Sequence, residues 1–462
     1  MRSRPRVGVI LAAGRSERMS ILTGGRSKAL TALGGVPLVE RAVRTLLSSG
    51  LERVVVIVGH QADQVANAAR LGTGNVEVVH APDWELGNGS SLAAVRGAVQ
   101  DEDLFVLMCG DHVFADGALE SLVDAREPAV LVDTSPSPEV WAEGTRVRIR
   151  GGKAEAFGKN LAETGVDCGA FVLGPDVFGA RAEAAARGDH SLAGALTQLS
   201  RSDPVRAVPL PEGRWWQDVD TPEDLRAARS LVRRSLIKDS DGPIARYINR
   251  PISTRITMWL SPLRLAPNMI TLFTFVIGFW AAWSLSAGRA VVGGILTQVV
   301  SVLDGVDGET ARLHDRATPE GARIDGVCDR MVDAAVVAGL WMWIWDDPGV
   351  TFRVVMIVVA AIGWGVVSAL LKRPTAQFEV SKEEEHPLSA LVGGRDARML
   401  LFAGGAFLEQ PFWTFIVGFI MYSGSGLWRV RFVHRSKRSA PASVVAPDEI
   451  RDAPDGDLYE IG

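Results

Sequence analysis

The sequence predicts two unlike parts: an α/β domain with a Rossmann-like, mostly parallel sheet, then an all-α membrane domain of six spans. Three observations carry this. Up to about Leu236, short β-branched or apolar runs alternate with helical patterns, as buried parallel strands joined by helices do. From Met269 onward, apolar segments follow one another. The mean hydropathy is +0.14 although 22% of residues are charged, which reads as the average of a soluble and a membrane part. A length of 462 residues suits two or three domains. The expected boundaries are residues 1–235 for the soluble domain, 236–268 for a linker with a basic interfacial helix, 269–435 for the membrane domain and 436–462 for a polar, disordered tail.

Composition narrows the function. A net charge of −5 gives no case for nucleic-acid binding. Cys109, Cys168 and Cys328 are far apart and lack Cys-x-x-Cys spacing, which argues against a disulfide framework or a zinc site. The N-terminus is basic and then apolar, like a signal peptide. But the run Val7–Ala13 is short and charge returns at Arg15 and Glu17, so it reads as the first strand of a cytosolic domain.

The strands follow in order: "RVGVILAAG", "RVVVIVGH", "VEVVHA", "DLFVLMCGD" and "AVLVDT". Helical patterns cover Leu38–Ser49 and Ser90–Val99. "RVRIRGGKAEAFG" predicts a hairpin around Gly151-Gly152, and "CGAFVLG" another strand. "TPEDLRAARSLVRRSLIK" predicts a closing helix, with Thr221 as N-cap, Pro222 at its first position and acids in the first turn. Ile244–Leu265 mixes apolar residues with Arg246, Arg250, Arg255 and Arg264. That mixture predicts a basic segment lying on a membrane surface.

Six apolar segments follow: Met269–Ser286, Ala290–Leu303, Met331–Trp345, Val350–Leu371, Met399–Leu408 and Phe412–Trp428. Several fall short of the roughly 20 residues a simple span needs. The second and third therefore extend through the acidic stretch between them, and the fifth needs flanking residues. Arg and Lys cluster before the first span, between the second and third, between the fourth and fifth, and after the sixth. The positive-inside rule then puts both termini and the acidic stretch on the cytoplasmic side of a multi-pass cell-membrane protein.

That acidic stretch holds Asp304, Asp307, Asp325 and Asp329. The first two are three residues apart and the last two four apart, so each pair lies on one helix face. A lone Asp near mid-bilayer costs roughly 2.5–3.5 kcal/mol, and four facing one another repel. Two divalent cations relieve both costs, and a pair about 3.5–4 Å apart clamps the oxygens of a phosphoryl displacement. Gly308, Ala311 and Gly321 leave backbone open for close approach of a nucleotide, and Arg312 offers a planar fork for phosphate.

The run from Asp304 to Arg312, then eight residues, then Gly321 to Asp329 resembles the full signature of the CDP-alcohol phosphatidyltransferase family. "APNMIT" resembles the start of that family's first span. The resemblance implies six spans and a homodimer through them. It implies that Asp304, Asp307, Asp325 and Asp329 bind two divalent metals, Mg²⁺ or Mn²⁺, with Asp329 also the base for the acceptor hydroxyl. Thr271, Gly308, Ala311, Arg312 and Gly321 would line the CDP site.

In the first half, "LAAGRSERMSILTGGRSKAL" follows the first strand. A Gly turn, basic residues and a later Lys suit a loop around a triphosphate. It lacks the Walker and dinucleotide spacings. It resembles the nucleotidyltransferases that activate sugar phosphates, with Ser27-Lys28 where that family has Pro-Lys. The resemblance implies CTP bound at Ala12, Ala13, Gly14 and Lys28, base and ribose read at Asn88, Gly89 and Ser90, and one Mg²⁺ on Asp111 and Asp220. Arg18 and Lys28 would stabilise the growing charge, and Lys159 would neutralise the substrate phosphate. For Asp220 a cap or turn role, and for Lys159 a plain hairpin lysine, stay open.

One half thus makes a CDP-alcohol and the other consumes one. With "GDH", "GKNL" and "WWQDVDTPEDL", the order resembles the bifunctional enzymes that fuse inositol-1-phosphate cytidylyltransferase to di-myo-inositol phosphate phosphate synthase. The resemblance implies CTP and inositol-1-phosphate giving CDP-inositol, then transfer to a second inositol-1-phosphate with release of CMP. A lipid acceptor, another alcohol, and a non-catalytic membrane-anchored scaffold stay open as alternatives.

Overall fold

The structure is a computed structural model that describes residues 2–15, 24–72, 74–162, 165–238, 240–345 and 394–418. It forms two compact units, residues 1–280 with 298–335, and residues 281–297 with 336–462.

The first unit is built on a nine-stranded sheet. Its strands are β1 (Val7–Ala12), β2 (Arg53–Val58), β3 (Val76–His80), β4 (Phe105–Cys109), β5 (Ala129–Asp133), β6 (Arg146–Arg150), β7 (Lys153–Gly158), β8 (Gly165–Leu173) and β9 (Val205–Pro209). Their spatial order is β3-β2-β1-β4-β8-β5-β9-β7-β6. Helices α1 (Leu38–Ser48), α2 (Ala62–Arg70), α3 (Asp176–Ala185) and α4 (Leu192–Ser202) belong to the same unit. Both faces of the sheet are covered, so β2 reads as a continuous apolar run with Val54–Val58 all buried.

β1, β2, β3 and β4 run parallel, as do β5 and β9. β8 runs antiparallel to β4 and β5, and β7 is antiparallel to β6 and β9. The sheet is therefore mixed rather than mostly parallel. One cause is the hairpin at Gly151-Gly152, which joins β6 to β7 and whose φ values of 55° and 76° make a tight two-residue turn. Such a turn joins antiparallel strands, whereas a parallel pair needs a crossover. The helix expected over Ser90–Val99 is also shorter. It reduces to a single α-helical stretch, Asn88–Leu92, and a 3-10 turn, Ala93–Val95. Gly89 and Gly97 lower its propensity.

α5 (Pro222–Ser235) closes the sheet domain as expected. Asp224 N–H donates to Thr221 Oγ1 at 3.2 Å and Thr221 N–H to Asp224 Oδ2 at 2.8 Å, a complete capping box. A π-helical turn, Ala245–Asn249, then leads into α6 (Arg250–Leu260). Its buried face is polar: Ser253 Oγ and Thr257 Oγ1 each donate to Glu309 at 2.6 Å. The exposed side of the whole segment carries Tyr247 from the π-helical turn, Ile252 and Trp259 from α6, and Leu263 just after it; Tyr247 and Trp259 are both 76% exposed. Apolar outside and polar inside suits a segment against lipid. Two of its arginines are not surface charges, however. Arg250 forks between Asp241 and Glu309, and Arg264 pairs with Glu40.

Three long helices follow: α7 (Pro267–Ser286), α8 (Ala290–Leu313) and α9 (Pro319–Trp345). α8 and α9 continue through the acidic stretch, as their short apolar segments required. Among the described residues, α7 and α8 are long and apolar enough to cross a membrane. The fifth expected segment is helix α10 (Arg395–Phe407). Val350–Leu371, the sixth segment beyond residue 418 and the tail lie outside the described residues. Within the second unit small residues allow close helix contact: a Cβ on Gly339 would meet the Ala282 backbone, and one on Gly294 would lie 3.0 Å from the Ala403 carbonyl.

Candidate functional site

Two carboxylate clusters stand out. In the first, β4 ends at Cys109 and delivers Asp111 to the C-terminal edge of the parallel strands, where ligands bind in open α/β sheets. The strand Trp216–Asp218 pairs antiparallel with His112–Phe114, with Asp218 opposite His112. This pairing brings Asp218 and Asp220 to Asp111 across a hundred residues of chain, and one oxygen from each lies within 4.8 Å of the others. The buried Lys28 points its ammonium at all three: Nζ is 2.8 Å from Asp111, 3.5 Å from Asp218 and also bonds Asp220. A cation thus already sits among three hard oxygen donors, which is the donor set that Mg²⁺ takes.

Burial alone would depress the Lys28 ammonium, but the three carboxylates overcome it and hold it well above the usual lysine range. Against burial, Lys28 and His112 hold Asp111 well below the usual carboxylate range. His112 stacks on Trp216, with ring centroids 5.5 Å apart, and its Nδ1 lies 2.7 Å from Asp111 Oδ1. Burial works against its protonation, yet Asp218 and Asp111 raise it to about 9. Sequence reasoning singled out neither Asp218 as a metal ligand nor His112. The signals were the doubled acid in "QDVD" and the His directly after Asp111.

Asp111 lines three adjoining cavities. One of about 180 Å³ includes Ala12, Gly14, Lys28 and Asp220; one of about 440 Å³ includes Gly14, Trp84, Glu85 and Asn88. The third, about 1200 Å³, includes His112, Lys159, Asp167 and Asp218. Ala13 is buried, and its carbonyl accepts from His60 N–H at 3.0 Å. Lys159 is exposed on the rim of the large cavity.

Asn88, Gly89 and Ser90 also tie the fold together. Asn88 Oδ1 accepts from Leu192 N–H at 2.8 Å, at the start of α4. Gly89 donates its N–H to the His190 carbonyl at 3.1 Å, and a Cβ there would lie 2.7 Å from that oxygen. Ser90 is buried with its Oγ 3.4 Å from His190 Nδ1. Of the three, Asn88 alone borders the cavities above. Arg18 lies outside the described residues.

Asp167 faces the large cavity from a bulge in β8, with Oδ1 accepting from Gly169 N–H at 2.5 Å. Burial raises its carboxyl to about 6. A raised carboxyl favours the fold only while protonated, so this cost is absent below the unfolded value near 3.8 and complete above about 6. Asp167→Asn keeps the acceptor to Gly169. It is expected to raise stability by about 1–3 kcal/mol at pH 8 and to change it little at pH 4. Thermal unfolding at the two pH values measures this, and an equal gain at both would refute it.

The second cluster lies on α8 and α9. One oxygen each from Asp304, Asp325 and Asp329 falls within 4.8 Å of the others, again an all-oxygen set suited to a hard divalent cation. Asp307 is buried beside them. Its Oδ2 accepts from Thr271 Oγ1 at 2.5 Å and its Oδ1 from Gly308 N–H at 2.5 Å, and its carboxyl meets that of Asp325. Thr271 therefore orients a carboxylate. Arg312 Nη2 donates to the Leu236 carbonyl at 2.9 Å, anchoring it beyond α5. A Cβ on Gly308 would lie 3.3 Å from Arg312 Nη1, so its glycine leaves that guanidinium room. Gly321 N–H donates to Thr318 Oγ1 at 3.0 Å, and Ala311 is half-buried on the turn before Arg312.

Two family models match the chain: a MobA-like NTP transferase domain over residues 8–163 and CDP-alcohol phosphatidyltransferase over residues 264–418. A bifunctional IPC transferase and DIPP synthase of Rubrobacter xylanophilus is 36% identical over 410 residues, 87% of this chain and 90% of the relative. One from Thermococcus kodakarensis is 32% identical over 403 residues, 86% of this chain and 89% of the relative. The solved inositol-1-phosphate CTP transferase from T. maritima aligns with 50% of this chain and 97% of its own, at 23% identity and a TM-score of 0.45.

Proposed function

We infer the function from one premise: the chain belongs to the family of bifunctional IPC transferases and DIPP synthases. It is an enzyme with a nucleotidyltransferase and a CDP-alcohol phosphotransferase activity. The observation that carries the reading is the presence of two separate carboxylate triads in one chain: one lies within the CDP-alcohol phosphatidyltransferase match, and the other joins Asp111 of the NTP transferase match to Asp218 and Asp220 beyond it.

In the first reaction a phosphate oxygen of inositol-1-phosphate attacks the α-phosphate of CTP. CDP-inositol forms and pyrophosphate leaves. In this reading Lys28 and Arg18 would stabilise the growing negative charge, and Ala12 to Gly14 would give the triphosphate backbone room. Asp111, Asp220 and, beside them, Asp218 would hold Mg²⁺, which supplies charge stabilisation at the α-phosphate. Lys159 on the cavity rim suits the phosphate of the incoming substrate.

In the second reaction a hydroxyl of another inositol-1-phosphate attacks the inositol-bearing phosphorus of CDP-inositol. Asp329 takes its proton and CMP leaves, giving phosphorylated di-inositol. Asp304, Asp307, Asp325 and Asp329 would hold Mg²⁺ or Mn²⁺, which supplies charge stabilisation on the transferred phosphoryl group. Gly308, Ala311, Arg312 and Gly321 suit the CDP side, with Thr271 acting through Asp307.

The same reading gives residues 1–235 to the first activity and 269–435, with six spans, to the second. It places the protein in the cell membrane as a multi-pass homodimer, termini and both sites facing the cytoplasm. The paired long helices support the membrane placement and the arginine distribution its sidedness.

The test incubates membranes with CTP, Mg²⁺ and radiolabelled inositol-1-phosphate, then partitions the products between water and organic solvent. The expected result is label in a water-soluble phosphorylated di-inositol, with pyrophosphate and CMP released. Label in the lipid phase favours a lipid acceptor instead, and no consumption of inositol-1-phosphate overturns the reading.

A further inference from the structure

Glu40 belongs to neither carboxylate cluster, yet it ties together the helices that support the second. It lies in α1 and is wholly buried. Each of its oxygens takes a guanidinium from a different place. Arg44 Nη2 donates to Oε1 at 2.6 Å, and Arg264 Nη2 donates to Oε2 at 2.6 Å. A buried carboxylate is tolerated where it is paired and hydrogen-bonded, and this one is paired twice.

The two arginines lead to the two ends that matter for the second cluster. Arg264 stands just before α7 with φ 48°, a backbone state that a non-glycine residue keeps only when its surroundings hold it. Its side chain is held by Glu40, and its carbonyl accepts from Arg316 Nη1 at 3.3 Å. α7 then brings Thr271 to Asp307. Arg44 donates through Nη1 to the carbonyl of His314, the residue after α8. α8 carries Asp304 and Asp307. One carboxylate therefore holds the start of α7 and the end of α8.

The surroundings leave little play. Ser261 Oγ donates to the Gly34 carbonyl and lies 3.1 Å from His314 Nε2. Gly35, at φ 72°, approaches so closely that a Cβ would lie 2.7 Å from the Ser261 carbonyl. Leu313 shares an apolar cluster with Leu33, Leu38 and Val219, and Val219 separates Asp218 from Asp220.

We propose that Glu40, in the nucleotidyltransferase half, is a positioning residue for the second reaction, fixing α7 against α8 through Arg264 and Arg44. Asp304 and Asp307 are thereby kept in register with Thr271 and with the acids of α9. The proposal rests on the second reaction assigned above.

The test uses the full chain in detergent, as wild type, Glu40→Gln and Ser261→Ala. Pyrophosphate release from CTP and CMP release from supplied CDP-inositol are each measured against Mg²⁺ concentration. Hydrogen exchange is followed in peptides covering residues 261–272 and 308–318. For Glu40→Gln, kcat for CMP release is expected to fall by about tenfold or more, and the Mg²⁺ needed for half-maximal CMP release to rise by about fivefold. Pyrophosphate release should stay within about twofold. Exchange should accelerate in the two peptides and not in β2 or β4. Ser261→Ala removes a neutral contact to the same frame and should shift the same quantities in the same direction by less. It carries the test if Glu40→Gln does not fold. Parallel loss of both reactions with faster exchange throughout, or unchanged CMP kinetics and exchange in folded variants, overturns the proposal. Wild-type protein that releases no CMP would instead sink the assigned second reaction, while the exchange data still judge the tie.

Discussion

Asp329→Asn is expected to abolish CMP release from CDP-inositol, by about 10³-fold or more, and to leave pyrophosphate release from CTP within about twofold. The side chain keeps its size, so the packing of α9 is preserved. What it loses is a charge and a proton acceptor. The loss acts twice, because Asp329 is both the assigned base and one of three acids whose oxygens converge. General-base removal alone costs about 10²–10⁴-fold, and a weakened donor set adds to it. Nothing in the first triad is touched, since that triad is made by Asp111, Asp218 and Asp220. Asp111→Asn is the mirror experiment, silencing pyrophosphate release while supplied CDP-inositol still yields CMP. If either substitution silences both steps in folded protein, the two clusters do not divide the work.

The sequence announced these sites unequally, for physical reasons. The second site is local: its acids lie on two consecutive helices, so spacings of three and four residues already put them on converging faces. That is why Asp304, Asp325 and Asp329 were legible as a group. Asp307 was legible as a member, but its ties to Thr271 and Gly308 depend on α7 lying beside α8, which no spacing records. The first site is assembled by sheet topology. Asp218 reaches Asp111 because a three-residue strand pairs with His112–Phe114, and such short pairings leave no periodic signal. Asn88 and Gly89 show a second role that the sequence did not announce. A polar, glycine-bearing turn after a strand suits a nucleotide, and here it also meets the start of α4. The mixed sheet had its cue in Gly151-Gly152, since a hairpin there reverses the strand direction. Nothing in the sequence sets Glu40 apart, because its two partners come from four and from more than two hundred residues away.

Lys28→Met is expected to cut pyrophosphate release by about 10²-fold or more, and to make the stability of the first unit depend on divalent cation. The ammonium is buried among Asp111, Asp218 and Asp220. Removing one partner of a buried charge group leaves the others uncompensated, at a cost of about 3–5 kcal/mol. The sign with pH follows from the lysine's raised affinity for its proton. Its contribution is complete below the ordinary lysine value near 10.5 and is lost only well above it, so in wild type it is constant from pH 6 to 9. In Lys28→Met the carboxylates lack that counter-charge and bind protons more readily. The variant should therefore recover more stability between pH 7 and pH 5 than wild type, whose gain there comes from groups such as Asp167 and His112 that both proteins share. Mg²⁺ supplies the missing charge directly, and stabilisation by a ligand that binds the folded state grows as RT ln(1 + [L]/Kd). Unfolding midpoints of both proteins, with EDTA and with Mg²⁺ at pH 7 and pH 5, decide the matter. The expected pattern is a large deficit in the variant with EDTA at pH 7, reduced by either Mg²⁺ or acid. A deficit that neither condition narrows would mean that Lys28 serves packing and not charge, and the carboxylate triad would lose its reading as a cation site.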